Sequence, residues 1–144
     1  MSMKRFTAAA LLVVFSAACA SNPASKVASV SMRTHSRPFF GSGNSAPVNL
    51  DITIANISNA PLTVRSIRVT SLNMLEYELA MSEKLFNETI APGESKTLPY
   101  TTTAVRIASN DSADEDLSLR AEIDFETAGG KRTREVFTFP RVGT

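Results

Sequence analysis

Leu117-Ser118-Leu119-Arg120-Ala121-Glu122-Ile123-Asp124-Phe125-Glu126 alternates apolar and polar side chains without a break. Successive side chains of a strand point to opposite faces, so this segment has one face for a core and one for water. Ala128-Gly129-Gly130 follows as a hairpin, and a last strand runs to Phe139-Pro140. The length of that loop decides which residues of the last strand face inward. A two-residue Gly129-Gly130 loop would turn Val136 inward opposite Ile123 and leave Phe137 and Phe139 outside. A three-residue loop turns both Phe inward and hides far more apolar area, so it is the one expected.

Working back along the chain, Val48, Leu50, Ile52 and Ile54 alternate with Asn49, Asp51, Thr53 and Ala55, a second strand with one buried face. Asn56 to Pro61 supplies turn residues. The apolar positions of the next strand, Leu62, Val64, Ile67 and Val69, change parity between Val64 and Ile67. A one-residue slip would send the later ones to solvent, so a β-bulge is expected near Arg65-Ser66. Tyr77 to Leu79 and Leu85 to Ile90 read as short strands with a turn over Ala80 to Lys84. Ala91-Pro92-Gly93-Glu94 is a turn whose Pro presets φ and whose Gly takes positive φ. Ser95 to Val105 is a Thr-rich extended segment. Val27 to Met32 is a weak first strand, and Thr34 to Pro47, with Pro38, Gly41, Gly43 and Asn44, is a long loop. Its Phe39 and Phe40 are expected to fold back over one end of the core and to be the surface offered to a partner.

Seven to eight strands with turns at short spacing, and no helical period after the first twenty residues, give an all-β, immunoglobulin-like antiparallel β-sandwich. Its expected core is Leu50, Ile52, Ile54, Val64, Ile67, Val69, Leu119, Ile123, Phe125 and Phe137.

The N-terminus has another character. Lys4-Arg5 precedes an uncharged apolar run from Phe6 to Phe15, and small residues follow in Ser16-Ala17-Ala18-Cys19. That is the layout of an export signal, whose short helix is too short to span a bilayer stably. The domain plan is therefore a signal peptide over 1–18, a tether over 19–26 and a sandwich over 27–144. Ser16 to Cys19 resembles a bacterial lipobox, with Ser16 where an aliphatic residue is usual. The resemblance implies cleavage after Ala18 and a diacylglyceryl group on Cys19, enough acyl chain for stable anchoring. With Ala20 and Ser21 after the Cys, and no Asp, resemblance to Gram-negative lipoproteins implies the outer membrane, facing the periplasm. The alternative is an A-x-A site at Ala18-Cys19-Ala20, giving a soluble periplasmic protein.

Two further segments are similar to the water stress and hypersensitive response (WHy) domain of the late embryogenesis abundant type 2 family. Asn56-Ile57-Ser58-Asn59-Ala60-Pro61-Leu62 resembles its N-P-N…P-L segment, with Ile57 in place of Pro. Ile90-Ala91-Pro92-Gly93-Glu94-Ser95 resembles its I-x-P-G-x-S turn. The resemblance covers roughly 48–95 and implies a fibronectin-like sandwich. For true members it implies a protective, non-enzymatic role under desiccation, with no catalytic residues to carry over.

Composition narrows the chemistry. Taking away Lys4 and Arg5 with the leader turns the formal charge from +1 to −1, too near neutral for nucleic acid, which needs clustered cations. Cys19 is the one Cys, so no intramolecular disulfide holds the domain. With one His besides, most zinc, haem and iron–sulfur sites are excluded, and no cofactor is expected. Asp111, Asp114 and Asp116 crowd one loop, and carboxylates gathered on a turn are what a Ca²⁺ ion needs. The spacing matches no EF-hand, so a solvated loop is expected and no metal. His35 stands between Arg33 and Arg37 with no acid near it in sequence, which argues against a Ser–His hydrolase. Lys131, Arg132 and Arg134 form a small basic cluster on an edge strand. The expected protein is not an enzyme; it is an envelope binding or assembly module whose partner is the membrane through its lipid, and an envelope protein or glycan.

Overall fold

The computed structural model describes residues 26–72, 77–107 and 117–142. The leader with Ala18 and Cys19, most of the tether, and the acidic loop with Asp111, Asp114 and Asp116 lie outside the described residues. Eight strands follow in order: β1 (Ala28–Thr34), β2 (Ser45–Asn56), β3 (Leu62–Ser71), β4 (Tyr77–Leu79), β5 (Ser82–Ile90), β6 (Ser95–Arg106), β7 (Leu117–Thr127) and β8 (Arg132–Val142). They form two four-stranded antiparallel sheets, ordered β1-β2-β6-β4 and β5-β3-β7-β8. The architecture is the immunoglobulin-like sandwich that the alternation predicts.

The core follows from strand parity. Leu117, Leu119, Ala121, Ile123 and Phe125 of β7 are buried, and every residue of the expected core list lies inside. The hairpin has the three-residue loop: Thr127 N–H donates to the Lys131 carbonyl at 2.9 Å and Gly130 N–H to the Thr127 carbonyl at 2.8 Å. Gly130 has φ 76°, the left-handed turn residue that such a loop needs. Ala121 therefore faces Phe137, which is buried, while Phe139 packs partly buried against the core. The same register turns Glu135 inward opposite Ile123. On β3 the pairing with both neighbours shifts between Val64 and Ser66, the expected bulge. It keeps Ile67 and Val69 in the core with Leu62 and Val64.

Two boundaries differ from the pattern. β5 begins at Ser82, so the expected turn over 80–84 shrinks to Ala80 and Met81. Its first residues are polar and show no apolar period, yet each finds a cross-sheet or cross-strand partner. Tyr100 O–H donates to the Ser82 carbonyl at 2.5 Å, Arg68 reaches Glu83 at 3.0 Å, and the Lys84 ammonium lies 5.2 Å from the Tyr100 ring centroid. The long loop also shrinks to residues 35–44, because Ser45, Ala46 and Pro47 join β2 opposite Val105, Ala104 and Thr103. Pro47 is tolerated there since the pairing with β1 ends at Leu50, leaving that flank of β2 open.

Asn56 is the polar exception in the core. It continues the inward parity of Ala46, Val48, Leu50, Ile52 and Ile54 and is 1% exposed. Its Nδ2 donates to the carbonyls of Ala60 (2.8 Å) and Ile90 (2.9 Å). Its Oδ1 accepts from Ser58 N–H (3.0 Å) and lies 2.7 Å from the Ser58 hydroxyl. Its main chain exchanges bonds with the next turn, donating to the Glu94 carbonyl and accepting from Gly93 N–H, both at 2.9 Å. That turn closes from Glu94 N–H to the Ala91 carbonyl, with Pro92 and Gly93 (φ 76°) at its centre, as a type II turn requires. The two segments singled out for their family resemblance are thus bonded to each other through one residue.

Asn56→Ala strips two carbonyls and an N–H of their buried partner. It is expected to lower unfolding free energy by about 3 kcal/mol, whereas Asn59→Ala, on the exposed part of the same turn, costs under ~0.5 kcal/mol. Urea unfolding of the two variants checks this.

Candidate interaction surface

Strand directions sort the connections into two ends. The chain enters at Lys26-Val27 beside the turns after β2, β5 and β7. The 35–44 loop, the ends of β3, β6 and β8, and the start of β4 lie at the other end, about 35 Å away along a strand of β2's length. Val27 fixes the entry point: its N–H donates to Glu135 Oε1 at 2.7 Å and its carbonyl accepts from Ile57 N–H at 3.1 Å.

At the far end the structure separates Phe39 from Phe40. Phe40 is 7% exposed, its ring 5.8 Å from that of Tyr77, with the Arg106 guanidinium 4.6 Å from its centroid. It belongs to the core, so the expectation that both rings form a partner surface is corrected for this residue. Adjacent side chains of extended chain point opposite ways, and only one of the two can turn inward. Phe39 is 87% exposed. The turn that presents it is braced: Gly43 N–H donates to the Phe40 carbonyl at 2.9 Å, Gly41 takes φ 51°, and Arg106 N–H donates to the Asn44 carbonyl at 2.8 Å. Leu72 and Ile107, just past the ends of β3 and β6 at the same end of the sandwich, are about half exposed.

His35 is not isolated from acid. Its Nε2 lies 2.7 Å from Asp51 Oδ2, because the β1–β2 pairing folds position 51 back alongside the end of β1. The side chains are 54% and 39% exposed, an open pair on a strand surface with nothing to exclude water. Among the described residues no three His, Cys, Asp or Glu gather as metal ligands.

The two outer faces differ in charge. On the β1-β2-β6-β4 sheet, Ser29, Ser31, Asn49, Thr53, Thr97, Pro99, Thr101 and Thr103 face out. Hydroxyls pair across strands there, with Thr53 Oγ1 2.8 Å from Thr97 Oγ1. The other sheet carries a charge ladder. Arg134 forks onto Asp124 with two bonds of 2.7 Å, Arg65 onto Glu126 with two of 3.0 Å, and Arg132 reaches Glu126 at 3.3 Å. The basic cluster expected at the hairpin is therefore largely neutralised across the strands. Arg134 holds the Asp124 carboxyl below the usual range, and Arg65 does the same for Glu126. Beside the bulge, Arg65, Ser66, Glu83, Leu85, Phe86, Asp124 and Arg132 line a shallow depression of about 310 Å³.

No family model matches the chain, and no curated protein matches it. Solved structures do. A structural genomics target designated SoR45 superposes with a TM-score of 0.60 at 11% identity, over 82% of this chain and 87% of that one. A Bordetella pertussis protein solved as a candidate ApaA superposes with a TM-score of 0.51 at 18% identity, over 81% and 91%. Likeness at this identity is likeness of fold.

Carboxyls whose folded pKa lies below the unfolded one add stability that is full above the unfolded value, about 4, and is lost as pH falls from there through the lower folded value. Thermal midpoints are expected to fall between pH 5 and 3 and to fall less in Arg134→Gln, where Asp124 has lost its main partner. Thermal melts across that range check it.

Proposed function

We propose that this chain is a non-enzymatic, lipid-anchored module of the bacterial cell envelope, which docks an envelope protein through the Phe39 end of its sandwich. The observation that carries this reading is Phe39 itself, an aromatic ring 87% exposed beside the buried Phe40. Leaving such a ring in water forgoes about 2 kcal/mol of burial, yet the turn is braced so that it stays there. An exposed aromatic on a supported turn suits an anchor inserted into a partner's apolar pocket, and Leu72 and Ile107 at the same end of the sandwich would widen the contact.

Location supports the same reading. The leader and Cys19 precede an entry point at the opposite end, so a lipid on Cys19 would leave the Phe39 loop well away from the anchor. An open His35–Asp51 pair offers no enclosed site for a reaction. The resemblance to the WHy domain rests on two turns that Asn56 binds together, and their demonstrable role here is architectural.

Two measurements test the proposal. Intact mass of the membrane fraction is expected to show a mature N-terminus at acylated Cys19; a soluble product beginning at Ser21 sinks the anchor. A photo-crosslinking residue at position 39 is expected to give a discrete protein adduct in cells that position 49 does not. Equal labelling from both positions, or an adduct that is glycan, overturns the docking surface. Phe39→Ser is expected to change stability by under ~0.5 kcal/mol, while Phe40→Ala lowers it by about 3 kcal/mol in chemical denaturation.

A further inference from the structure

Among the described residues the two sheets have four edge strands, and three of them carry devices that discourage further pairing. β4 is three residues long. β5 points Lys84 and Glu88 inward, opposite Ile67 and Val64, and its pairing is broken by the bulge. β8 points Glu135 inward, carries Pro140, and shifts register opposite Leu117–Leu119. Inward charges, prolines, bulges and short strands are how sheets avoid edge-to-edge association.

β1 has none of these. Its seven residues pair with β2 in constant register, from Ala28 opposite Asn56 to Thr34 opposite Leu50. Its inward side chains, Ala28, Val30 and Met32, are uncharged, and it contains no Pro. Among the described residues it pairs with β2 alone. Parity identifies the open groups. His35 N–H donates to the Asn49 carbonyl, and the Val27 carbonyl accepts from Ile57 N–H, so odd positions bond to β2. The N–H and C=O groups of Ala28, Val30 and Met32 therefore point away from the sheet.

We infer that β1 is the edge through which two copies of this chain associate, antiparallel and about a twofold axis at Ser31. An axis on a residue places even positions against even ones, and an axis on Ser31, the midpoint of β1, pairs all seven residues, so Val30 of each copy bonds to Met32 of the other. The match is self-complementary. Val30 and Met32 meet as apolar cross-strand pairs, Ser31 meets Ser31, and Arg33 meets Ser29, so no like charges oppose each other. The outer face that becomes continuous is the hydroxyl-rich one; the charge ladder stays on the other sheet. In the pair the Phe39 loops lie at the two outer ends, and the inference does not depend on what Phe39 binds.

The test uses the exported chain with Cys19→Ser, so that an introduced thiol is alone. Opposed residues at a non-hydrogen-bonded antiparallel position have Cα atoms about 4.5 Å apart, within disulfide reach. Ser31→Cys is expected to form a disulfide-linked dimer under mild oxidation at least roughly tenfold faster than Ser29→Cys, whose neighbour would be Arg33. Val30→Pro removes an N–H that points away from β2, so the monomer keeps its β1–β2 bonds and its melting temperature. Sedimentation of that variant is expected to show dimerisation weakened at least roughly tenfold. Equal crosslinking at positions 29 and 31, or a wild type that stays monomeric to about 1 mM, overturns the inference.

Discussion

One amide holds the near end of this sandwich together. Asn56 sits where β2 would bury another aliphatic residue, and its side chain instead meets the carbonyls and N–H groups of two chain crossings between the sheets. A crossing must leave a sheet ladder, so its backbone groups lose their strand partners just where the core excludes water. Asn is suited to the task because one planar group donates twice and accepts twice. An aliphatic residue at position 56 would pack as well and leave those groups unpaired. The turn after β2 and the turn after β5 are therefore one structural unit, despite the 29 residues from Leu62 to Ile90 between them.

The far end is built differently. Its loop is closed by turn bonds and by Arg106 lying over the Phe40 ring, with no buried polar hub in the described residues. A rigid base and an end made of short supported loops are the usual arrangement of sandwiches that recruit partners, since strands fix the geometry and loops carry the variation. The cross-sheet contact of Tyr100 with Ser82, and the bond from Thr102 to the Ala80 carbonyl beside β6, tie the chain between β4 and β5 to the scaffold between the two ends. The bracing acts on the backbone of the turn, which would have less freedom to lose if Phe39 were to bind a partner.

The faces and edges divide the remaining surface. Cross-strand pairs of Arg with Asp or Glu cover one sheet with charge that is internally matched and partly shielded from solvent. Such pairs contribute modestly and in a salt-dependent way, but they leave little net field to attract a polyanion. The outer face of the opposite sheet is rich in hydroxyls with scattered charges at Arg33, Asp51 and Glu78, and among the described residues its β1 edge is the one left without a deterrent. The proposed association through that edge and the proposed docking through the Phe39 loop would draw on different parts of the molecule.

Strand parity was legible along β2, β3 and β7 because each has one side in the core, so apolar residues recur every second position. The bulge at Val64–Ser66 was visible as a change in that parity, and the three-residue hairpin as the register that buries Phe137. β6 and the start of β5 were less legible: Tyr100, Thr102 and Ser82 are polar residues in inward or sheet-bridging places, and only their partners make those places tolerable. Asn56 left a signal in the sequence, being in phase with the buried positions of β2, but its role lay in carbonyls that no periodicity reveals. Phe39 and Phe40 are neighbours of one type, and the backbone path through Gly41 decided which ring is buried. His35 and Asp51 met because a hairpin folded position 51 back on position 35. By itself, then, the chain's local pattern determined its strands, its bulge and its core, since burial acts on each strand one side at a time. The tertiary structure alone decided which polar groups found each other, because hydrogen bonds and ion pairs between distant residues exist only once the sheets are stacked.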